Sequence, residues 1–383
     1  MAKTEKEKEK EKAPTPQEQA EAYIIQKENK KHILNSEDDI HYKVSTGSLM
    51  LDIETNGGLT PGVHRLVGQN NQGKTPEAIM MLDNFLDQFS EGLGIYIKAE
   101  GRLSEENMKR SKRTFTLNPG EWSNNRILIL ETNVYEVIVN FLRLIVNNNP
   151  QKAKYGIIFD STDALILECD LNKGAEDSIK VSGAAVISKK FLSAMNLKMT
   201  KFGHLVLMIG HATAEVKIDP YAKTLNRGGM YSGGSALQHF PNFIFEFQPR
   251  QNADIILDSP DGKLNDGKSK AIGHWCRIIL RKSSGENKDK LILYPIKYGR
   301  KNGKSIWIEY EIAEQLLVWS LAKRKGPWIE IGDTVFEEIK EINKDFPKTV
   351  QGIDKLRLLL EENSNVSDFL YQKFKTTLAN EAS

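Results

Sequence analysis

At 383 residues the chain is too long for one small core, so a main domain with appendages is expected. With 53 basic against 51 acidic residues and a formal charge of +2, it lacks a global positive field, and any nucleic-acid binding must come from local clusters. Its two cysteines, Cys169 and Cys276, exclude a disulfide framework and a cysteine zinc site. No apolar run approaches 18 residues and the N-terminus lacks an apolar signal core, so a soluble cytoplasmic protein without membrane contact is expected.

Residues 1–16 alternate Lys and Glu and end in Ala13-Pro14-Thr15-Pro16, a composition with little to bury, which predicts a disordered or frayed tail. Residues 17–35 carry Ala20, Tyr23, Ile24 and Ile25, which predicts a helix that either folds back or docks on a neighbouring subunit. A Gly/Pro turn, Gly57-Gly58-Leu59-Thr60-Pro61-Gly62, then delivers the chain into the β-rich run Val63–Val67.

The next eight residues are Gly68-Gln69-Asn70-Asn71-Gln72-Gly73-Lys74-Thr75, which fit G-x-x-x-x-G-K-[ST]. The glycines let the backbone curl until several N–H groups face one anion. Lys74 can reach the β- and γ-phosphates of a nucleotide, and the Thr75 hydroxyl can ligate Mg²⁺. Ala78, Ile79, Leu82, Phe85, Leu86 and Phe89 recur at helical spacing behind the loop, so a helix N-terminus adds its partial positive charge to the nest. Pro76 removes one N–H from that first turn, which predicts weakened rather than lost binding.

Four apolar runs follow, Leu93–Ile97, Arg126–Leu130, Tyr155–Phe159 and Leu205–Ile209, separated by helical patterns at Val134–Val146 and roughly 184–202. The alternation predicts an α/β fold, with a mostly parallel sheet and helices on both faces. Strands expected at Asn242–Phe247, Trp275–Arg281, Leu291–Tyr298 and Ile306–Ile312 read as an antiparallel extension. From about 329 the pattern turns helical, which predicts a small C-terminal helical domain.

Two carboxylates end strands where a nucleotide-binding loop needs them. Gly156-Ile157-Ile158-Phe159-Asp160 places Asp160 to hold Mg²⁺ from the side opposite Thr75. Tyr96-Ile97-Lys98-Ala99-Glu100 places Glu100 to polarise an attacking water as general base. The long segment 212–232 has no hydrophobic periodicity. Lys217, Lys223 and Arg227 supply charge for phosphates, Gly228 and Gly229 permit close backbone approach, and Met230 and Tyr231 can wedge between or stack on bases.

Ser45–Ile53 with Gly57–Gly62 ahead of the glycine loop, the Ala99-Glu100 strand end, Gly233-Gly234-Ser235-Ala236-Leu237 and Lys325-Gly326-Pro327-Trp328 together resemble the RecA family of homologous-recombination ATPases. The resemblance covers residues 40 to about 330, and His211 at the end of Leu205–Gly210 is similar to the phage UvsX-type branch. It implies a RecA-like P-loop ATPase core at 40–328, between an N-terminal oligomerisation segment at 1–39 and the helical domain at 329–383. It also implies that Glu100 is the catalytic glutamate, that Lys74 and His211 act on the γ-phosphate, and that Gly233 and Gly234 close a second DNA-binding loop. The segment 165–182 would be the first such loop, with Lys173 and Lys180 offset by Glu168, Asp170, Glu176 and Asp177. Arg281 and Lys282 would reach the ATP of the next subunit, although Ser284 stands where the family has its second basic residue.

The implied function is ATP- and Mg²⁺-dependent assembly of a homo-oligomeric helical filament on single-stranded DNA, which pairs with homologous duplex DNA. Single-strand-binding and mediator proteins are the implied accessory partners, in a bacterial cytoplasm or that of a phage host. A non-hydrolysing paralogue that recruits or restrains another recombinase is the alternative, favoured by Pro76, Ser284 and the mixed-charge first loop. A ring-forming helicase is a third.

Overall fold

The apolar runs form strands because the central ones are buried within one sheet, whereas the edge strand Thr114–Thr116 is only partly buried. In chain order they are β1 (Gly62–Gly68), β2 (Leu93–Lys98), β3 (Thr114–Thr116), β4 (Arg126–Leu130), β5 (Tyr155–Asp160), β6 (Leu205–His211) and β7 (Phe243–Phe247). The computed structural model describes residues 40–101, 103–171, 183–211, 236–259, 263–264, 269–283 and 288–381, with Gln19, Ala22 and Tyr23. Most of the expected N-terminal tail and helix therefore lies outside the described residues, as do 172–182 of the expected first loop and all of 212–235.

The strands β7-β1-β6-β5-β2-β4-β3 lie side by side in that order and run parallel. Next to β7 the direction reverses. β9 (Ala271–Lys282) is antiparallel to β7, and both β8 (Ile255–Leu257) and β10 (Lys290–Lys297) are antiparallel to β9. The extension is thus antiparallel as expected, but it begins one strand later, since the Asn242–Phe247 run joins the parallel set through β1.

Helices cover both faces. After the short α1 (Leu49–Glu54), α2 (Lys74–Gln88) sets Ala78, Ile79, Leu82, Phe85 and Leu86 against Leu66, Tyr96, Ile158 and Leu207. The short α3 (Glu105–Arg110) follows β2. On the other face, α4 (Tyr135–Asn147) and α5 (Gly183–Lys201) set Ile138, Leu142, Leu192 and Met195 against Ile95, Ile157, Val206 and Met208.

Two expectations need correction. The run Ile306–Ile312 is not a strand; only Ile306 bridges to Ile296, and Ile308–Val318 is a helix. Ile306, Ile308, Tyr310 and Ile312 alternate with polar or aromatic residues and imitate a strand period. Burial instead follows the helical set Ile312, Ala313 and Leu316, with Glu311 also buried. The C-terminal region is also not purely helical. A three-stranded antiparallel sheet of Ala322–Lys325, Trp328–Ile331 and Thr349–Gln351 accompanies the helices Asp333–Ile342, Ile353–Glu362 and Ser364–Glu381. A division at 328/329 would fall inside the hairpin of the first two strands. Residues 40–383 form one unit, and Leu49 of α1 shares a hydrophobic cluster with Leu356, Leu370 and Phe374. No helix among the described residues is long and apolar enough to cross a membrane.

Candidate functional site

Parallel strands bring their C-terminal ends to one edge, and the register decides which side chains meet there. Gly68 of β1 lies opposite His211 of β6, and Lys98 of β2 lies opposite Asp160 of β5. Glu100 leaves the sheet two residues beyond Lys98, with its backbone N–H donating to the Asp160 carbonyl. In open α/β sheets the crevice outside these strand ends is where ligands bind.

The loop between β1 and α2 is shaped by its glycines. A Cβ on Gly68 would lie 2.4 Å from Gln72 Oε1 and 2.8 Å from the Phe247 carbonyl oxygen, so only glycine fits. Gln72 Oε1 in turn accepts the Gln69 N–H at 2.7 Å, which closes the loop on itself. Asn71 and Gly73 have positive φ, 61° and 93°. Gly73 precedes the helix, no side chain caps it, and a Cβ there would meet nothing within 4 Å. The helix N-terminus therefore faces open space, and its first-turn donors suit an anion. Lys74 Nζ donates to the Gly68 carbonyl at 2.9 Å and the Gln69 carbonyl at 2.6 Å, so its ammonium is held across the same space. Burial pushes the Lys74 pKa down, against the opposing pull of the Asp160, Glu100 and Asp163 carboxylates.

On the far side, Thr75 Oγ1 donates to Asp160 Oδ2 at 2.9 Å, and the Tyr96 hydroxyl donates to the same oxygen. Burial raises the Asp160 carboxyl above its usual range, outweighing these two bonds. Among the described residues no group of three or more His, Cys, Asp or Glu side chains is placed to hold a metal ion. A hydroxyl and one carboxylate nevertheless suit Mg²⁺, which binds through one or two carboxylates and otherwise through water and phosphate oxygens.

Glu100 Oε1 accepts a bond from Ser161 Oγ and lies 2.8 Å from His211 Nε2. Partial burial would raise this carboxyl. The bonds from Ser161 and His211, with the charges of His211 and Lys74, outweigh burial and hold it below the usual carboxylate range. The edge thus carries an uncapped helix N-terminus beside Lys74, the Thr75–Asp160 pair and a carboxylate held below its usual range, around one cavity of about 1020 Å³. Ligand pockets commonly run to about 1,000 Å³. The cavity is also lined by Arg250, His274, Tyr294 and Tyr298.

Compared with known proteins, the chain matches no family model and no curated sequence.

Of the residues singled out in the sequence, Gln69 shapes the loop through its backbone groups, while Asn70, Asn71, Gln72, Gly73, Lys74, Thr75, Glu100, Asp160 and His211 line that cavity. Arg281 and Lys282 do not. Arg281 donates to Glu246 and, at 3.0 Å, to Asp289, while Lys282 Nζ donates to the His239 carbonyl. Lys282 is level with Ile244 of β7, and Ile244 with Arg65 of β1, which places Lys282 three residues, or about 10 Å, down the sheet from Gly68. Ser284, Lys217, Lys223, Arg227, Gly228, Gly229, Met230, Tyr231, Gly233 and Gly234 lie outside the described residues. Tyr96, Ser161 and Asp163 were not singled out as site residues, although each contacts one that was. Ser161 had the clearest signal, since it directly follows the acid that ends β5.

Proposed function

We propose that this chain is an ATP-dependent DNA recombinase of the RecA type, which assembles on single-stranded DNA and pairs it with homologous duplex. The observation that carries the nucleotide part is the convergence of the glycine loop, the Thr75–Asp160 pair and the Glu100–His211 pair on one cavity. Loop N–H groups and Lys74 would hold the phosphates, and Thr75 with Asp160 would hold Mg²⁺. Bound Mg²⁺ supplies charge neutralisation on the phosphate oxygens. Glu100, ionised and oriented by Ser161 and His211, accepts the proton of the attacking water at its carboxylate. His211 Nε2, on Glu100 Oε1, links that base to the end of β6. The recombinase reading rests further on the sequence resemblance over 40 to about 330 and on the segment after His211, with Lys217, Lys223, Arg227 and two pairs of glycines.

Electron microscopy of the protein on single-stranded circles, with ATP and with a non-hydrolysable analogue, paired with a strand-exchange assay, tests the reading. Helical filaments and joint molecules with ATP are expected. Filaments that form with either nucleotide but neither hydrolyse ATP nor exchange strands would favour the regulatory paralogue, to which Pro76 also points. No DNA-dependent assembly in any nucleotide state would overturn both.

A further inference from the structure

Arg65 sits in the middle of β1 and is wholly buried, at a position where a parallel strand ordinarily carries an apolar residue. A buried guanidinium is costly unless its donors are met, so its neighbours are informative. One terminal nitrogen donates to the Leu237 carbonyl at 3.3 Å. The other lies 3.2 Å from the point a Cβ on Gly210 would occupy, and Asp163 Oδ2 lies 3.5 Å from that same point. A Cβ on Gly210 would therefore crowd the guanidinium and touch Asp163 at ordinary van der Waals distance, so both side chains pack against this glycine. Asp163 Oδ2 also accepts the His211 backbone N–H at 2.6 Å, and Thr162 Oγ1 donates to the Ile209 carbonyl at 3.1 Å. Ile209 and His211 of β6 are thus hydrogen-bonded by side chains of the turn after β5, with Arg65 of β1 packed beside Gly210 between them.

We propose that Asp163 and Arg65 are positioning residues which fix the end of β6, so that the His211 imidazole stays seated on the Glu100 carboxylate. The inference rests on the reading of Glu100 as the hydrolytic base. His211 is the last described residue before 212–235, and Leu237 lies in the first turn after it. The buried guanidinium bonds the Leu237 flank to the strand that ends in the glycine loop and packs beside Gly210 on the other flank. The positioning role of Asp163 is that of hydrogen-bond acceptor for a backbone amide, separate from the pull of its charge on Lys74.

Because Arg65→Met risks the fold, the test uses the exposed Asp163. Asp163→Ala should lower kcat for DNA-stimulated ATP hydrolysis by about 10-fold or more, as expected for a misplaced catalytic group, with KM for ATP within about twofold of the parent. Asp163→Asn keeps an acceptor oxygen and loses the charge; it should recover most of kcat. In the free protein, the ¹⁵N resonance of His211 Nε2 should move in Asp163→Ala toward its position in Glu100→Gln, and stay in place in Asp163→Asn. An unchanged ring resonance in Asp163→Ala, or an Asp163→Asn variant as impaired as Asp163→Ala, would overturn the proposal. If the parent protein hydrolyses no ATP, the reading of Glu100 fails, and the ring resonance alone decides whether Asp163 positions His211.

Discussion

In the proposed role of general base, Glu100 must be ionised when its water arrives, and its neighbours favour that state. Its folded pKa is held down by Ser161 and His211 against the upward push of burial. The base form therefore persists below the usual carboxylate range and is lost only when the pH falls through that depressed value. Ser161→Ala removes the largest lowering contribution, so the acid limb of the kcat/KM profile for ATP hydrolysis should move to higher pH. A limb that stays in place would mean another group titrates there. Glu100→Gln should retain nucleotide binding and lose turnover by about 10²-fold or more, the usual range for a lost general base; parental hydrolysis in that variant would remove Glu100 from this role. Lys74→Ala should abolish turnover, because its ammonium, held by the Gly68 and Gln69 carbonyls, is set inside the glycine loop beside the open helix end. Equilibrium binding of a fluorescent ATP analogue separates the two variants, with Lys74→Ala expected to weaken binding and Glu100→Gln to leave it intact.

At the scale of elements, Arg281 and Lys282 show how β9 bears on the site. The strand antiparallel to β7 carries them away from the glycine loop, and neither reaches the cavity of its own subunit. If they act on nucleotide, they act on that of a neighbour, which would couple turnover to assembly. Arg281→Ala combined with Lys282→Ala should leave ATP affinity of the free subunit unchanged and remove DNA-stimulated turnover. Mixed on single-stranded DNA with Lys74→Ala protein, it should regain activity, since some interfaces then pair an intact loop with intact cations. No recovery in mixed filaments verified by microscopy would exclude action in trans. What could be read of these elements from the chain follows physical lines. β2, β4, β5 and β6 were legible because parallel strands inside a sheet read as nearly unbroken apolar runs, and β1, interrupted by His64 and Arg65, because the glycine loop follows it. The segment Ile306–Ile312 was not, because its apolar spacing satisfies two periods and the choice was made by packing of Ile312 and Leu316. The strands at Ala322–Lys325 and Thr349–Gln351 have only four and three residues, too few to show alternation. The site was legible where its groups are contiguous, as in 68–75, 96–100 and 156–160. It was opaque where partners come from separate strands, as with Tyr96 on Asp160 and Asp163 on His211.

Across the whole of 40–383, the mostly parallel sheet and the C-terminal region are joined by buried acids. Glu311, at the start of Ile308–Val318, accepts Ser48 Oγ at 2.5 Å and the Leu49 N–H at 2.7 Å, so it caps α1 from another part of the chain. Asp52 of α1 likewise accepts the Thr46 N–H at 2.7 Å and the Thr46 hydroxyl at 2.8 Å. Near this junction, Lys297 of β10, Trp307 and Arg357 all bond to Glu361, which ties a wall of the cavity to the C-terminal helices. Glu311 gives the junction a pH dependence whose sign can be worked out. Burial pushes its carboxyl up to about 8 from 4.5; the bonds from Ser48 and Leu49 oppose the shift, and the charge of Asp52 adds to it. The folded protein therefore keeps this proton over a range in which the unfolded chain has released it. Folding is favoured by that difference at low pH, and stability falls as pH rises from about 4.5 to about 8. Glu311→Gln cannot ionise, yet its amide oxygen can still accept from Ser48 or Leu49. Asp52 and Glu77, whose carboxyls are also raised by burial, remain in both proteins, so the difference between the two isolates Glu311. Melting temperatures measured from pH 5 to pH 8 should fall less in Glu311→Gln than in the parent, with the variant gaining relative stability toward pH 8. Parallel curves would show that Glu311 is already ionised in the folded protein, and that the junction between α1 and Ile308–Val318 is held by a carboxylate.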